Sequence, residues 1–405
     1  MKKINKNYLL IILLVIAFIF RTFRLSTPPR YIFDEVYHVV TAKAYSNNNP
    51  DTYNPFAKSP EPDTAYDWLH PPLAKLIQAG SIKLLGDNSF AWRFPSAVFG
   101  TLSIFALYFL SLTITKNQNI SLLAATLFSL DGLQLTMSRI TMNDIFVTTF
   151  IIFTLNFFYK TLTDRVRPCH PKNLFFTGLF LGLALATKWS SLLLYLIFSI
   201  FLLPKLLKKP TYIFKYFVFL LLLPLTIYLL SYSQYFLLGY SLKDFFNLHQ
   251  QIYWYQTGLS ATHVYQSVAW QWPLLIRPVW FHVQYFSNKI ANIYNLGNPI
   301  IFWGGLGALG FGTFKKGDSF YILTSYLLLF LPFIFSPRIL FLHHYLPALP
   351  FLCLILAKTI YKNKLLTISF LFIVFLSFLF FYPLNTAIPI PSNFLKFWFW
   401  LPSWK

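Results

Sequence analysis

Phe33-Asp34-Glu35 sets two adjacent carboxylates downstream of the first apolar run, and cationic and imidazole side chains recur at the ends of later runs. These clusters are Asp67-Trp68-Leu69-His70-Pro71-Pro72-Leu73-Ala74-Lys75, Trp92-Arg93, Ser138-Arg139 with Asn143-Asp144, Thr187-Lys188-Trp189, and Arg338 with His343-His344-Tyr345. Adjacent carboxylates point to different sides of whatever backbone carries them, so Asp34 and Glu35 do not read as the paired acid and base of a glycoside hydrolase. One carboxylate acting alone fits better. It would deprotonate an acceptor hydroxyl while the bond to a leaving group breaks on the opposite face of a sugar, a direct displacement with inversion. A lipid phosphate departs as an already stable anion and needs cations rather than a general acid. Lys75, Arg93, Arg139, Lys188 and Arg338 are the candidates to hold it.

Plainer readings stand beside these. Asp34-Glu35 could equally be a solvated pair or a salt bridge to Arg21 or Arg24. His70-Pro71-Pro72 could simply start a helix. His343-His344 could be interfacial, and a metal site is disfavoured because no H-x-x-x-H spacing occurs. Trp270-Gln271-Trp272-Pro273 reads as an interfacial aromatic belt before a sugar platform. His170, His263 and His282 carry no signal.

The elements that must position these groups are membrane helices. With 56% apolar and 11% charged residues, the 405-residue chain has too little polar surface to cover a soluble globule. Its runs lack the two-residue alternation of a barrel. Spans are expected at 8–20, 94–115, 120–137, 145–159, 174–187, 190–203, 216–236, 298–313, 319–335, 341–357 and 365–382, about eleven in all. The pair around Lys188 is short enough to be one tilted helix. Arg21-Thr22-Phe23-Arg24 stands where a signal peptide would carry small residues, so the first span reads as uncleaved.

A basic N-terminus on the cytoplasmic side then places Lys116; Lys160, Arg165, Arg167 and Lys172; Lys205, Lys208, Lys209 and Lys215; Lys315 and Lys316; and Lys358, Lys362 and Lys364 on that side as well. Of the 12 acidic residues only Asp164 and Asp318 join them, whereas Asp34, Glu35, Asp51, Glu61, Asp63, Asp67 and Asp87 gather in the first external loop. The formal charge of +21 is thus a membrane topology signal, and nucleic acid is not an expected partner. Cys169 and Cys353 lie too far apart for a disulfide framework or a metal knot.

The first external loop, 21–93, carries helical patterns at Val36 to Tyr45 and Pro72 to Leu85. The second, 237–297, contains Trp254, Trp270, Trp272 and Trp280 and is expected to form amphipathic helices on the membrane surface. The whole chain, 1–405, is expected to be one all-α transmembrane domain. Charges at one face and the absence of a repeat argue against a transporter.

In order and wording these clusters resemble the protein O-mannosyltransferase family, polytopic enzymes of the GT-C fold that use polyprenyl-phosphate-mannose. The resemblance rests on Arg21 with Phe33-Asp34-Glu35, Asp67 to Lys75, Trp92 to Ala97, Arg139-Ile140-Thr141-Met142-Asn143-Asp144, Lys188-Trp189, Trp270 to Leu275, Leu296-Gly297-Asn298-Pro299 and Arg338 to Pro347. It implies Asp34 as the catalytic carboxylate and Glu35 as its essential neighbour. Arg21, Arg93 and His344 are implied as supports for carrier phosphate or substrate, with His70, Lys75, Arg139, Asp144, Lys188 and Arg338 completing the candidate site.

The implied activity is inverting transfer of mannose from a polyprenyl-phosphate carrier to Ser or Thr of exported proteins, at the extracytoplasmic face of the cell membrane. The alternative is transfer of another sugar, in the manner of the related aminoarabinose transferases, to a lipid or cell-wall glycan. Those relatives usually carry a lysine where His70 stands. The segment 237–297 is too short for the MIR domain of eukaryotic members, so the resemblance is to prokaryotic ones. No cofactor is required, although Asp34, Glu35 and Asp144 have the chemistry to ligate a divalent ion. Nothing in the chain indicates its oligomeric state.

Overall fold

A computed structural model describes residues 6–163, 170–208, 210–259, 261–312 and 317–405. Cys169, with Asp164, Arg165, Arg167, Lys209, Lys315 and Lys316 of the charge pattern, lies outside the described residues.

The chain begins with α1 (Lys6–Thr22), followed by a loop carrying α2 (Glu35–Ser46) and α3 (Leu73–Leu85). Then come α4 (Ser89–Thr115), α5 (Gln118–Ser129), α6 (Gly132–Met137), α7 (Asp144–Thr163), α8 (Pro171–Leu185), α9 (Leu193–Lys208), α10 (Ile213–Phe217) and α11 (Leu223–Ser231). A second loop region holds α12 (Ser233–Leu237), α13 (Leu242–Gly258) and the strands β1 (Val279–Tyr285) and β2 (Lys289–Asn295). Four more helices, α14 (Pro299–Phe311), α15 (Asp318–Leu328), α16 (Leu349–Ile360) and α17 (Lys364–Asn385), precede the short strand β3 (Ile390–Pro391).

Among the described residues, six helical segments are long and apolar enough to cross a membrane: Ser89–Thr115, Asp144–Thr163, Trp189–Leu207, Pro210–Ser231, Asp318–Phe335 and Lys364–Asn385. Pro171–Leu185, Pro299–Phe311 and Leu349–Ile360 are apolar but shorter. Their outer surfaces suit lipid rather than water. Leu196, Ile200, Leu203 and Leu207 on α9, Leu225, Leu229 and Leu230 on α11, and Ile368, Phe372 and Leu376 on α17 are exposed in rows no soluble protein would leave bare. The segments flanking Lys188 are separate helices, because the chain breaks at Ala186 to Lys188 before a 3₁₀ turn from Trp189 to Leu192.

Local chemistry sets the helix starts. Asn88, Asn117 and Asn363 accept backbone N–H groups at the first turns of α4, α5 and α17, and Asn298 does so for α14 with Pro299 following. Asn298 also donates to the Leu130 and Val374 carbonyls at 3.1 Å each, while Asp131 Oδ2 accepts from its backbone N–H at 2.9 Å. One polar residue thus ties α5, α14 and α17 together. The interior is a continuous apolar core of α4, α5, α7, α8, α14 and α16, with α4 packed on α7 and α7 on α8.

The region 237–297 departs from expectation. α13 is a helix with a Ser241/Asp244 capping box, but residues 279–295 form the antiparallel hairpin β1-β2 in place of a surface helix, and β3 adds to its β2 edge. The register slips between Trp280 and His282, a bulge at Phe281 that re-aims its ring. That ring stacks on Phe33 at 4.3 Å. The fold is mostly helical, and the sheet buttresses the first loop.

Candidate active site

Phe33 has φ +48, a left-handed backbone that a bulky residue holds only when its surroundings enforce it. Stacking on Phe281 supplies that hold. The turn sends the two carboxylates opposite ways.

Glu35 is wholly buried. Arg93 donates to it through Nε and Nη2 at 2.8 and 2.7 Å, and the backbone N–H groups of Ile32 and Thr141 donate at 3.1 Å each. Arg93 gives its remaining donors to the carbonyls of Leu25, Pro28 and Arg30. The partner of this acid is therefore Arg93, not Arg21 or Arg24, and both charges are saturated by protein. Removing one member of such a buried pair costs about 3–5 kcal/mol. Glu35→Gln is expected to lower the thermal unfolding temperature sharply in lipid or detergent, whereas Asp34→Asn leaves it near the wild-type value.

Asp34 sits at the capping position of α2 but makes no capping hydrogen bond, so its carboxylate is free to face a cavity of about 90 Å³. Its neighbours there include His38, His70, Asn143, Asp144, Lys188, Arg338, His343 and His344. Asp34 is partly open to this space yet enclosed by protein. Loss of water, opposed by His38 and reinforced by Asp144 and Asp67, pushes its carboxyl up to about 6.

Lys188, at the break after α8, donates to Asp144 Oδ1 at 2.8 Å, joining the two membrane helices that flank the cavity. Burial holds the His70 imidazole down at about 3, which favours its neutral form. Arg338 differs from Arg21, Arg93 and Arg139 in that its side chain makes no hydrogen bond among the described residues. Its buried Nε has no hydrogen-bond partner, and no ion pair includes it among the described residues. Together with His70, Lys188 and His344 it also lines an adjoining cavity of about 280 Å³ walled by Trp189, Leu192, Leu193, Pro332, Phe333 and Leu340. The geometry is an acidic spot beside an unpaired guanidinium, opening onto an apolar chamber.

Of the residues singled out in the sequence, Asp34, His70, Asp144, Lys188, Arg338 and His344 meet at this cavity. Arg21, Lys75, Arg93 and Arg139 do not line it. Arg21 is buried in the helix bundle, donating to Ala17, Ser129 and Gln134. Arg139 donates to the carbonyls of Phe20, Arg21 and Phe23 at the end of α1. Lys75 is spent on Asp67 Oδ2, at 2.9 Å, and on the Asp67 and His70 carbonyls. These four hold backbone in place.

Asn143 and His343, named with their neighbours in the sequence clusters, line the cavity too, the Asn143 side-chain amide buried with no partner among the described residues, and one further lining residue, His38, escaped the sequence reading. His38 could have been found from its spacing, one helical turn after Asp34. Among the described residues no group of three His, Cys, Asp or Glu side chains is arranged to hold a metal.

The helical membrane scaffold that carries this acidic site has the GT-C fold, which it shares with solved proteins that include the following two. One is the Saccharomyces cerevisiae protein O-mannosyltransferase Pmt1-Pmt2 complex bound to the sugar donor, at a TM-score of 0.82 and 16% identity over 100% of this chain and 93% of that one. The other is ArnT from Cupriavidus metallidurans bound to undecaprenyl phosphate, at 0.61 and 10% identity over 90% of this chain and 62% of that one.

Residues 11–238 match the family model of dolichyl-phosphate-mannose-protein mannosyltransferase, and residues 241–317 and 313–404 match that of the C-terminal four-transmembrane region of protein-O-mannosyltransferase. The chain belongs to this family of membrane mannosyltransferases. It is 24% identical to the polyprenol-phosphate-mannose–protein mannosyltransferase of Mycolicibacterium smegmatis over 83% of this chain and 82% of that one. Identity to the Corynebacterium glutamicum protein of the same name is 24% over 92% and 88%.

Proposed function

We propose that this protein transfers mannose, with inversion, from a polyprenyl-phosphate carrier to Ser or Thr hydroxyls of exported proteins. The observation that carries the reading is the pairing of a free, half-enclosed Asp34 with an unpaired Arg338 at the mouth of an apolar chamber. The names of the mycobacterial and corynebacterial relatives support a polyprenol-phosphate-mannose donor. Asp34 takes the proton of the acceptor hydroxyl. The carrier phosphate leaves against Arg338, Lys188 and His344, and its prenyl chain lies along Trp189, Leu192, Leu193 and Phe333. Asn143 and neutral His70 hydrogen-bond the sugar.

Glu35, Arg93 and Lys75 act by fixing the loop that carries Asp34, and Arg21 and Arg139 by fixing the end of α1 against the bundle. Cations on the leaving phosphate do the work a metal would otherwise do, so no cofactor is needed. Eleven spans with the N-terminus in the cytoplasm put the site on the extracytoplasmic face, a reading supported by the gathering of acids in 21–93 and of Lys and Arg at the opposite helix ends.

A base must be ionised to act. Because Asp34 is raised to about 6, kcat/KM for transfer is expected to be level at neutral pH and to fall as pH drops through about 6, in the presence or absence of chelator. A limb near the ordinary carboxylate value, or loss of activity on chelation, contradicts the assignment.

A further inference from the structure

We propose that His38, braced by Asp67, receives the proton that Asp34 removes from the acceptor, forming a relay that restores the base between turnovers. The proposal rests on the reading of Asp34 as the base. His38 follows Asp34 by one turn of α2, its backbone N–H donating to the Asp34 carbonyl at 3.0 Å, and both side chains line the same small cavity. Behind it, His38 Nδ1 lies 3.0 Å from Asp67 Oδ2. The contact is a close charge approach, with the ring off the line of a well-formed hydrogen bond.

Asp67 is in turn fixed. Its Oδ2 accepts from Lys75 at 2.9 Å, its Oδ1 from the Leu69 N–H at 3.2 Å, and its own N–H donates to Thr41 Oγ1 at 2.7 Å. Burial favours its neutral form, but Lys75, His38 and His70 outweigh burial and hold the carboxyl well below the usual carboxylate range. An ionised Asp67 beside Nδ1 selects the His38 tautomer protonated there and leaves Nε2 as an acceptor. The charged and titratable groups around His38 are Asp34 on its own helix, Asp67 and His70 before α3, Lys75 on α3 through Asp67, and, across the shared cavity, Asp144, Lys188, Arg338, His343 and His344.

The step balances. The acceptor O–H bond breaks as its oxygen bonds the anomeric carbon, and the carbon–phosphate oxygen bond breaks with its electron pair going to phosphate. The proton rests on Asp34 and passes to His38 Nε2, and the resulting imidazolium is stabilised by Asp67 until water takes the proton. His38 is thus a positioning residue that acts through Asp34.

The test uses the full-length protein in lipid nanodiscs with polyprenyl-phosphate-mannose and a Ser/Thr peptide, comparing wild type, Asp34→Asn, His38→Gln and His38→Ala. Both His38 variants should keep the donor KM, lose kcat by about 10²-fold, and shift the acid limb of kcat/KM to higher pH, because the electrostatic support that His38 gives to ionised Asp34 is gone. Added imidazole should restore part of the His38→Ala rate. Wild-type kcat in both variants overturns the relay. So does a loss of kcat with an unmoved acid limb, or a failure of both variants to fold or bind donor, which makes His38 a packing residue only. If instead Asp34→Asn keeps its turnover, the underlying assignment of the base fails, a result distinct from failure of the relay.

Discussion

Asp34→Asn is expected to lower kcat for mannose transfer by about 10²- to 10⁴-fold, the range a positioned general base contributes, while the donor still binds with near wild-type affinity. The substitution keeps the shape of the side chain, and no hydrogen bond of the fold depends on that carboxylate, since Asp34 caps nothing at the start of α2. The loss should therefore fall on the chemical step alone. Single-turnover rates with prebound donor separate the two effects. Near-normal turnover would remove Asp34 from the chemistry, whereas a parallel loss of folding would assign it the role that Glu35 holds in the structure.

Arg338→Ala should show the second-largest effect. A guanidinium unpaired within the protein is costly to keep half-buried unless an anion arrives, and removing one preorganised donor to developing charge costs about 10²- to 10³-fold in kcat. Because the carrier phosphate is anionic before and after transfer, donor KM should rise as well. Arg338→Lys should recover part of the affinity but little of the rate, since an ammonium lacks the planar fork that meets two phosphate oxygens. Kinetics at varied donor concentration check both. If Arg338→Ala changes peptide KM alone, the phosphate lies elsewhere and the guanidinium faces the acceptor.

Much of this site could be read from the chain. Hydropathy located the apolar segments, charge asymmetry grouped the clusters, and the phosphate chemistry of a single carboxylate separated Asp34 from a hydrolase pair. What sequence could not decide was which cations are free. Arg21, Arg93, Arg139 and Arg338 have the same intrinsic chemistry, and only packing reveals that the first three are consumed by backbone carbonyls and, for Arg93, by Glu35. The acidic pair was open for the same reason: the left-handed turn at Phe33 that divides its two members depends on a ring more than two hundred residues away.

The hairpin at 279–295 was missed although its local signal exists. Alternating Val279, Phe281 and Val283 and the turn around Asn288 are short-range features, and a membrane-length hydropathy window averages them away. His38 was missed because its partner Asp67 lies in a different segment. Its importance appears only when α2 and the loop before α3 come together.

In the proposed mechanism a hydroxyl that Asp34 has deprotonated displaces the carrier phosphate at the sugar carbon. Purified full-length protein supplied with labelled polyprenyl-phosphate-mannose and a Ser/Thr peptide, its product read by mass spectrometry and by the NMR coupling at the anomeric carbon, tests that displacement most directly. The expected product carries mannose on a Ser or Thr oxygen with the anomeric configuration opposite to that of the donor. A product of retained configuration, or label that never leaves the lipid for the peptide, would contradict the mechanism.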